Sequence, residues 1–140
     1  MTGEDRLKEL ITDDDHLKLV AQRLSQERSI ACDLESNGFY SYPEKVCLVQ
    51  ISAPNREYIL DPVALRDIDP IKELFSNNRI EKVFHSADYD LRSLDRDWGI
   101  HVDNLYDTSI AAAFIGIARL GLRNVVGKVL GVELLKSKKL

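Results

Sequence analysis

The stretch SIACDL at residues 29–34 opens the part of the chain that decides the fold. Apolar and β-branched residues dominate it, as they do in KVCLVQIS at residues 45–52 and EYIL at residues 57–60, and such residues are typical of β-strands. Turn-forming sequences separate the three stretches, namely SNG at residues 36–38 and APN at residues 53–55. Three short strands with short connections predict an antiparallel meander.

Helix and strand patterns alternate in the rest of the chain. Thr12 and Asp15 form a start signal for a helix over residues 13–26. The elements predicted after the meander are a helix opened by Asp69 and Pro70, a strand over residues 82–85, a helix over residues 86–98, a strand near residues 105–106, and helices near residues 109–116 and 122–130. This order predicts an α/β fold in which helices flank a mixed sheet, as in ribonuclease H-like folds.

The composition is that of a soluble globular protein. The 140 residues are 44% hydrophobic and 30% charged, and one hydrophobic core is expected at this length. The longest apolar runs fall far short of the ~20 residues that cross a bilayer. The first residues do not resemble a secretory signal, so no membrane association and a cytoplasmic location are expected. Cys32 and Cys47 lie in apolar runs, where reduced thiols act as small hydrophobic groups.

Charge is distributed unevenly along the chain. The formal net charge is −4, so the body of the protein is not expected to attract nucleic acid. Residues 119–140 nevertheless contain six cations and only one anion, Glu133. These cations are candidate nucleic-acid contacts, and a solvated terminal segment is the alternative that the composition alone favours. They are Arg119, Arg123, Lys128, Lys136, Lys138 and Lys139.

Two carboxylates share one side of the first predicted strand. Side chains alternate along a strand, so Asp33 and Glu35 lie on one face, ~7 Å apart along the backbone, while Cys32 and Leu34 lie on the other. Adjacent carboxylates repel each other unless a cation lies between them, and hard oxygen ligands favour Mg²⁺ or Mn²⁺. For so short a pattern, two ordinary surface acids are the alternative.

A third acid, Asp90, falls on the helix that follows His85. The apolar face of this helix consists of Ala87, Leu91, Leu94 and Trp98. Asp90 lies on the border of that face, where a carboxylate needs a hydrogen-bond network or a metal; a partly exposed acid near Arg92 or Arg96 is the alternative. His85 ends an apolar strand and is expected to be a hydrogen-bonded structural residue, with a general-base role as the alternative.

Together these segments resemble the DEDD-type 3′–5′ exonucleases. Their residues are most similar to those of ribonuclease D and its exosome-associated relatives. Residues 30–35 (IACDLE) followed by residues 45–52 (KVCLVQIS) resemble the first motif of that family. Residues 82–91 (KVFHSADYDL) resemble the second motif, and residues 104–108 (NLYDT) resemble the strand and helix start after it. The order and the intervals also fit, over about residues 28–140.

The resemblance implies that Asp33, Glu35 and Asp90 bind metal and carry catalysis, and that Asp107 and His85 support the site from nearby. A complete site would hold two Mg²⁺ or Mn²⁺ ions and release nucleoside 5′-monophosphates from single-stranded 3′ ends, of RNA rather than DNA. The tyrosine branch of the family has a third motif, Tyr-x-x-x-Asp. No tyrosine here has aspartate four residues later, and Tyr40 with Glu44 is the nearest pattern.

The expected domain organisation is therefore a single, incomplete exonuclease domain over residues 1–140, with its C-terminal part missing. Such a chain is expected to be weakly active or inactive by itself. One alternative is a catalytically dead module of the same fold that binds nucleic acid or protein, which the missing third motif favours. The other is a different metal-dependent nuclease or phosphohydrolase of this fold, against which the long second-motif match argues.

Overall fold

The computed structural model describes residues 6–38 and 42–135. Within these ranges no helix is long and apolar enough to span a membrane. The strands are β1 (Leu7–Ile11), β2 (Ser29–Ser36), β3 (Val46–Ala53), β4 (Arg56–Leu60), β5 (Glu81–Phe84) and β6 (Leu105–Asp107). The helices are α1 (Asp14–Leu24), α2 (Asp69–Ser76), α3 (Asp88–Trp98), α4 (Thr108–Phe114) and α5 (Leu122–Leu130).

The strands form one mixed sheet in the order β1-β4-β3-β2-β5-β6. β2, β3 and β4 pair antiparallel in sequence order, which confirms the predicted meander. β5 lies parallel beside β2, and β6 lies parallel beside β5. Each is reached through a helix, as parallel pairing requires. The strand that carries Asp33 and Glu35 therefore lies inside the sheet, between β3 and β5.

The hydrophobic core lies on one face of the sheet, where α1, α2 and α3 pack. Alternation along β2 buries Ile30, Cys32 and Leu34 in this core. Ala31, Asp33 and Glu35 are exposed on the other face. The helices contribute Leu17, Val20 and Leu24 from α1, and Ile71, Leu74 and Phe75 from α2. Burial of these side chains fixes the register of β2, because a shift of one residue would move both acids into the core.

The first strand, β1, was not predicted. It pairs parallel with β4 from Leu7 opposite Arg56 to Ile11 opposite Leu60. Only Ile11 is buried, whereas Leu7 and Leu10 are more than half exposed, so the strand lacks the alternating pattern by which half-buried strands are recognised. Backbone pairing with β4 and an ion pair between Glu9 and Arg56 (2.6 Å) hold it instead.

Two helices begin later than predicted. The cap of α1 is Asp13, whose carboxylate accepts a hydrogen bond from the His16 amide (2.9 Å), whereas Thr12 was expected to provide the start signal. The helix after β5 begins at Asp88 rather than at residue 86. Ser86 adopts a left-handed backbone with φ of 58°, which L-residues other than glycine adopt rarely, and it cannot continue into a right-handed helix.

Candidate acidic active site

The structure places Asp33 and Glu35 on the face of β2 that points away from the core. Partial burial raises the pKa of the Asp33 carboxyl above its usual value, although the Leu34 amide opposes the shift by hydrogen bonding. The loss of water around Asp33 disfavours its negative charge. The ionised form of Asp33 is therefore disfavoured, although its side chain is exposed on the sheet face.

Asp90 lies in the first turn of α3 and is only 8% exposed. Burial, followed by the negative charge of Asp33, raises the pKa of Asp90 to about 6. The Leu34 amide lowers this pKa, and the charge of Asp107 raises it further. The charge of Asp33 thus acts on Asp90, and the Leu34 amide hydrogen-bonds to both carboxyls.

The three predicted metal ligands are not all shown to converge. Asp33 and Asp90 interact, and Glu35 shares the strand face of Asp33. Among the residues that the structure describes, no group of three or more histidines, cysteines, aspartates or glutamates is placed to hold one metal ion. The metal-ligand roles of Asp33, Glu35 and Asp90 stay predictions.

The Asp33 and Asp90 donor set nevertheless fits a hard divalent cation. Both groups are carboxylates, the ligands that Mg²⁺ and Mn²⁺ prefer. Both have raised pKa values: burial raises the pKa of Asp33, and burial followed by the charge of Asp33 raises the pKa of Asp90. A cation between them would reverse that effect and stabilise both ionised forms.

Both ring nitrogens of His85 are engaged in hydrogen bonds. Nε2 lies 2.7 Å from the carbonyl oxygen of Leu120, and Nδ1 lies 2.7 Å from the hydroxyl of Thr108. Because a carbonyl can only accept, Nε2 carries a proton and donates it to Leu120. His85 therefore occupies the hydrogen-bonded structural position that its place in the sequence favoured, and it ties the end of β5 to the segment before α5.

Asp107 joins three elements near the site. One carboxylate oxygen accepts from the amide (2.8 Å) and hydroxyl (2.7 Å) of Ser109 and from the Ser86 amide (3.0 Å). The other accepts from the Ala87 amide (2.8 Å). Burial would raise the pKa of Asp107, but these hydrogen bonds outweigh it and lower the pKa to about 2. Asp107 caps α4 and holds the turn that leads to Asp90.

A cleft with a volume of about 460 Å³ adjoins Asp33 on the open face of the sheet. Gln50 and Ser52 were not predicted as site residues. In the pairing of β2 with β3, Gln50 lies opposite Asp33 and Ser52 lies opposite Ala31. A polar residue within an otherwise apolar strand was the available signal. The side chains and backbone that line the cleft belong to Ala31, Cys32, Asp33, Gln50, Ser52, Val83, Phe84, His85, Thr108 and Leu122.

A hydrogen-bonded cluster that was not predicted lies beside the acids. The Tyr89 hydroxyl contacts the Ser36 hydroxyl (2.7 Å) and donates to Glu44, which also accepts from Ser36 (2.6 Å). Glu44 in addition pairs with Arg96 of α3 (3.3 Å). Ser36 follows Glu35 and Tyr89 precedes Asp90, so this cluster links the chain after the first acid pair to the helix that carries the third acid.

The candidate nucleic-acid contacts divide into three groups. Arg119 and Lys128 line a second groove beside α5. Arg123 instead donates a hydrogen bond to the carbonyl of Leu134 (2.6 Å). The remaining three candidates, Lys136, Lys138 and Lys139, lie outside the described residues.

The sequence matches a family described as 3′-5′ exonuclease over residues 8–140. The Exosome complex exonuclease RRP6 of Saccharomyces cerevisiae is 40% identical over 107 residues, which cover 76% of this chain and 15% of that protein. The Exosome complex component 10 homolog of Caenorhabditis elegans is 39% identical over 103 residues, which cover 73% of this chain and 12% of that protein. The chain thus spans less than a fifth of the length of these curated relatives.

Solved structures share the fold. The catalytic core of RRP6 from Trypanosoma brucei has a TM-score of 0.89 and 32% identity, covering 96% of this chain and 38% of that one. RNase D of Escherichia coli has a TM-score of 0.84 and 29% identity, covering 93% of this chain and 35% of that one. These similarities confirm the predicted ribonuclease H-like fold and the resemblance to ribonuclease D. With the family match over almost all of the sequence, they show that the chain belongs to the 3′-5′ exonuclease family.

Proposed function

We propose that this chain supplies the acidic part of the active site of a metal-dependent 3′–5′ exoribonuclease. One observation carries the proposal: Asp90 is only 8% exposed, and the charge of Asp33 helps to raise its pKa to about 6. Burying a carboxylate beside a second negative charge costs stability. Shifted pairs of this kind are concentrated at functional sites, where a bound cation or substrate offsets the cost.

Asp33 and Asp90 would hold the divalent ions, and Glu35 would add a third carboxylate from the same strand face. When bound, two such ions activate water and stabilise the charge that develops on the scissile phosphate. The protein holds the ligands in place: the Leu34 amide interacts with both carboxyls, and Asp107 fixes the turn before α3. The product of hydrolysis at a 3′ end is a nucleoside 5′-monophosphate.

RNA is the proposed substrate class because the relatives act on it. The structure of RNase D from Escherichia coli is described as that of an exoribonuclease involved in structured RNA processing, and the yeast relative is named as an exosome complex exonuclease. The substrate is a single-stranded 3′ end. A cytoplasmic location is part of the proposal, and the free cysteines Cys32 and Cys47 support a reducing compartment.

Calorimetric titration with Mn²⁺ tests the site. The wild-type chain should bind Mn²⁺ weakly, and Asp33→Asn should reduce the affinity at least about tenfold, because one charged ligand is lost. Asp95→Asn is the matched control, since Asp95 also lies on α3 but is 60% exposed and faces His101. Equal binding by wild type and Asp33→Asn would contradict the proposal, as would equal losses in both variants.

A catalytically inactive module that binds RNA is the second candidate function. The observation in its favour is that, among the residues that the structure describes, no group of three or more histidines, cysteines, aspartates or glutamates is placed to hold one metal ion. Such a module would bind single-stranded RNA without releasing mononucleotides in Mg²⁺ or Mn²⁺. Metal-dependent release that Asp33→Asn abolishes would exclude it.

A further inference from the structure

The groove beside α5 is separate from the acidic cleft. It has a volume of about 540 Å³ and is lined by Arg119, Asn124 and Lys128, with residues 116–118 and Gly127. Arg119, Asn124 and Lys128 are all exposed. Two long cationic side chains and an amide thus border one concave surface.

No aspartate or glutamate lines this groove in the part of the chain that the structure describes. The sequence contains no aspartate or glutamate from residue 108 to residue 132. Within residues 6–38 and 42–135, neither Arg119 nor Lys128 forms an ion pair, whereas Arg96, for example, pairs with both Glu44 and Asp97. An unneutralised pair of cations in a groove attracts phosphates, and such contacts contribute much of the affinity of a protein for nucleic acid.

Arg123 does not share this position although it lies between the two groove cations in sequence. Its guanidinium donates to the carbonyl of Leu134 at 2.6 Å, which holds the segment after α5. It is absent from the groove lining. The structure therefore places Arg119 and Lys128 in the groove and Arg123 outside it. The sequence alone could not make this distinction.

The groove begins next to the acidic cleft. His85 lines that cleft together with Asp33, and its Nε2 bonds to the carbonyl of Leu120, the residue after Arg119. Leu122, two residues further, also lines the cleft. We propose that the groove of Arg119, Asn124 and Lys128 binds backbone phosphates of an RNA strand whose 3′ end occupies the acidic cleft. This inference rests on the proposed function, to which it adds a second binding site for the same strand.

Fluorescence anisotropy with 5′-labelled U12 and U3 RNA in EDTA tests the groove in the full chain. Arg119→Gln/Lys128→Gln should raise the Kd for U12 about tenfold or more, and should flatten the slope of log K against log salt by about 1.4, since each contacted phosphate contributes about 0.7 in single strands. Affinity for U3 should change less than about twofold, because the groove lies beyond the terminal nucleotides.

Two controls make the test specific. Lys72→Gln/Arg79→Gln removes the same charge from exposed positions on and after α2, on the core side of the sheet, and should leave U12 binding within about twofold. Arg123→Gln should leave the salt slope almost unchanged. Equal weakening of U12 binding by both double variants would overturn the proposal that the groove binds RNA. So would the absence of U12 binding by the wild type. Suppose that Asp33→Asn loses mononucleotide release while Arg119→Gln/Lys128→Gln binds U12 as the wild type does. This result would overturn the groove proposal and leave the proposed nuclease function standing. U12 binding that depends on the groove, without any metal-dependent hydrolysis, would overturn the proposed nuclease function and leave the groove proposal standing.

Discussion

At the scale of single residues, Asp90 lies where ionisation opposes folding. Its carboxyl is 8% exposed and its pKa is raised from 3.8 to about 6, by burial first and by the charge of Asp33 second. Between these two values the folded chain binds more protons than the unfolded chain, so this group makes stability fall as pH rises from about 4 to about 6. Above that window the metal-free protein carries the full cost.

Asp90→Asn should therefore stabilise the metal-free chain at pH 8, by an amount on the order of 2 kcal/mol, while the two proteins should differ little near pH 4. Urea unfolding in EDTA at both pH values measures the difference. Saturating Mn²⁺ should stabilise the wild type more than the variant, since only the wild type keeps the ligand. A variant that is less stable than wild type at pH 8 in EDTA would contradict this account of the site.

At the scale of elements, Asp107 connects strand β6 to two helices. It caps α4 through Ser109 and holds the amides of Ser86 and Ala87 at the start of α3. Ser86 has a left-handed backbone with φ of 58°, a conformation that persists only where the surroundings enforce it. The position of Asp90 thus depends on a carboxylate that lies 17 positions later in the sequence.

Asp107→Ala should destabilise the chain by about 2–4 kcal/mol, since it removes a helix cap and leaves partly buried amides without acceptors. Asp13→Ala is the matched control: Asp13 also caps a helix, but through one hydrogen bond to the His16 amide. Its cost should be about 1 kcal/mol. Chemical denaturation at pH 7 compares the two variants, and equal costs would show that the contacts of Asp107 to Ser86 and Ala87 contribute nothing.

Local patterns were sufficient to predict most elements, because alternation on β2 and the apolar faces of α1 to α3 are periodic in the sequence. β1 was missed since pairing with β4, rather than an apolar pattern, holds it. The late start of α3 depends on the distant Asp107. The same limit applies to the site: periodicity placed each acid on a face, but the interaction of Asp33 with Asp90 depends on how β2 and α3 pack.

At the scale of the whole molecule, the two faces of the sheet differ. Helices α1 to α3 close one face over the core. The other carries Asp33 and the cleft of about 460 Å³. Large apolar side chains are exposed on α4 and after α5, including Phe114 at 87% and Leu135 at 91%. Asp33 is thus presented on a face with an open cleft.

Activity should therefore depend strongly on chain length. We expect the 140-residue chain to release mononucleotides from single-stranded RNA at least about 100-fold more slowly than a longer version that includes a Tyr-x-x-x-Asp motif, because misplacement of reacting groups by about 1 Å already costs that much. The motif is expected to align the attacking water with the phosphate. RNA binding should differ less between the two chains, since both contain Arg119 and Lys128, which we propose to contact phosphates. Parallel time courses with 3′-labelled and 5′-labelled RNA in Mg²⁺ and in Mn²⁺ would report direction and rate. Equal rates for the two chains would show that residues within the 140, with His85 the first to test, position the water.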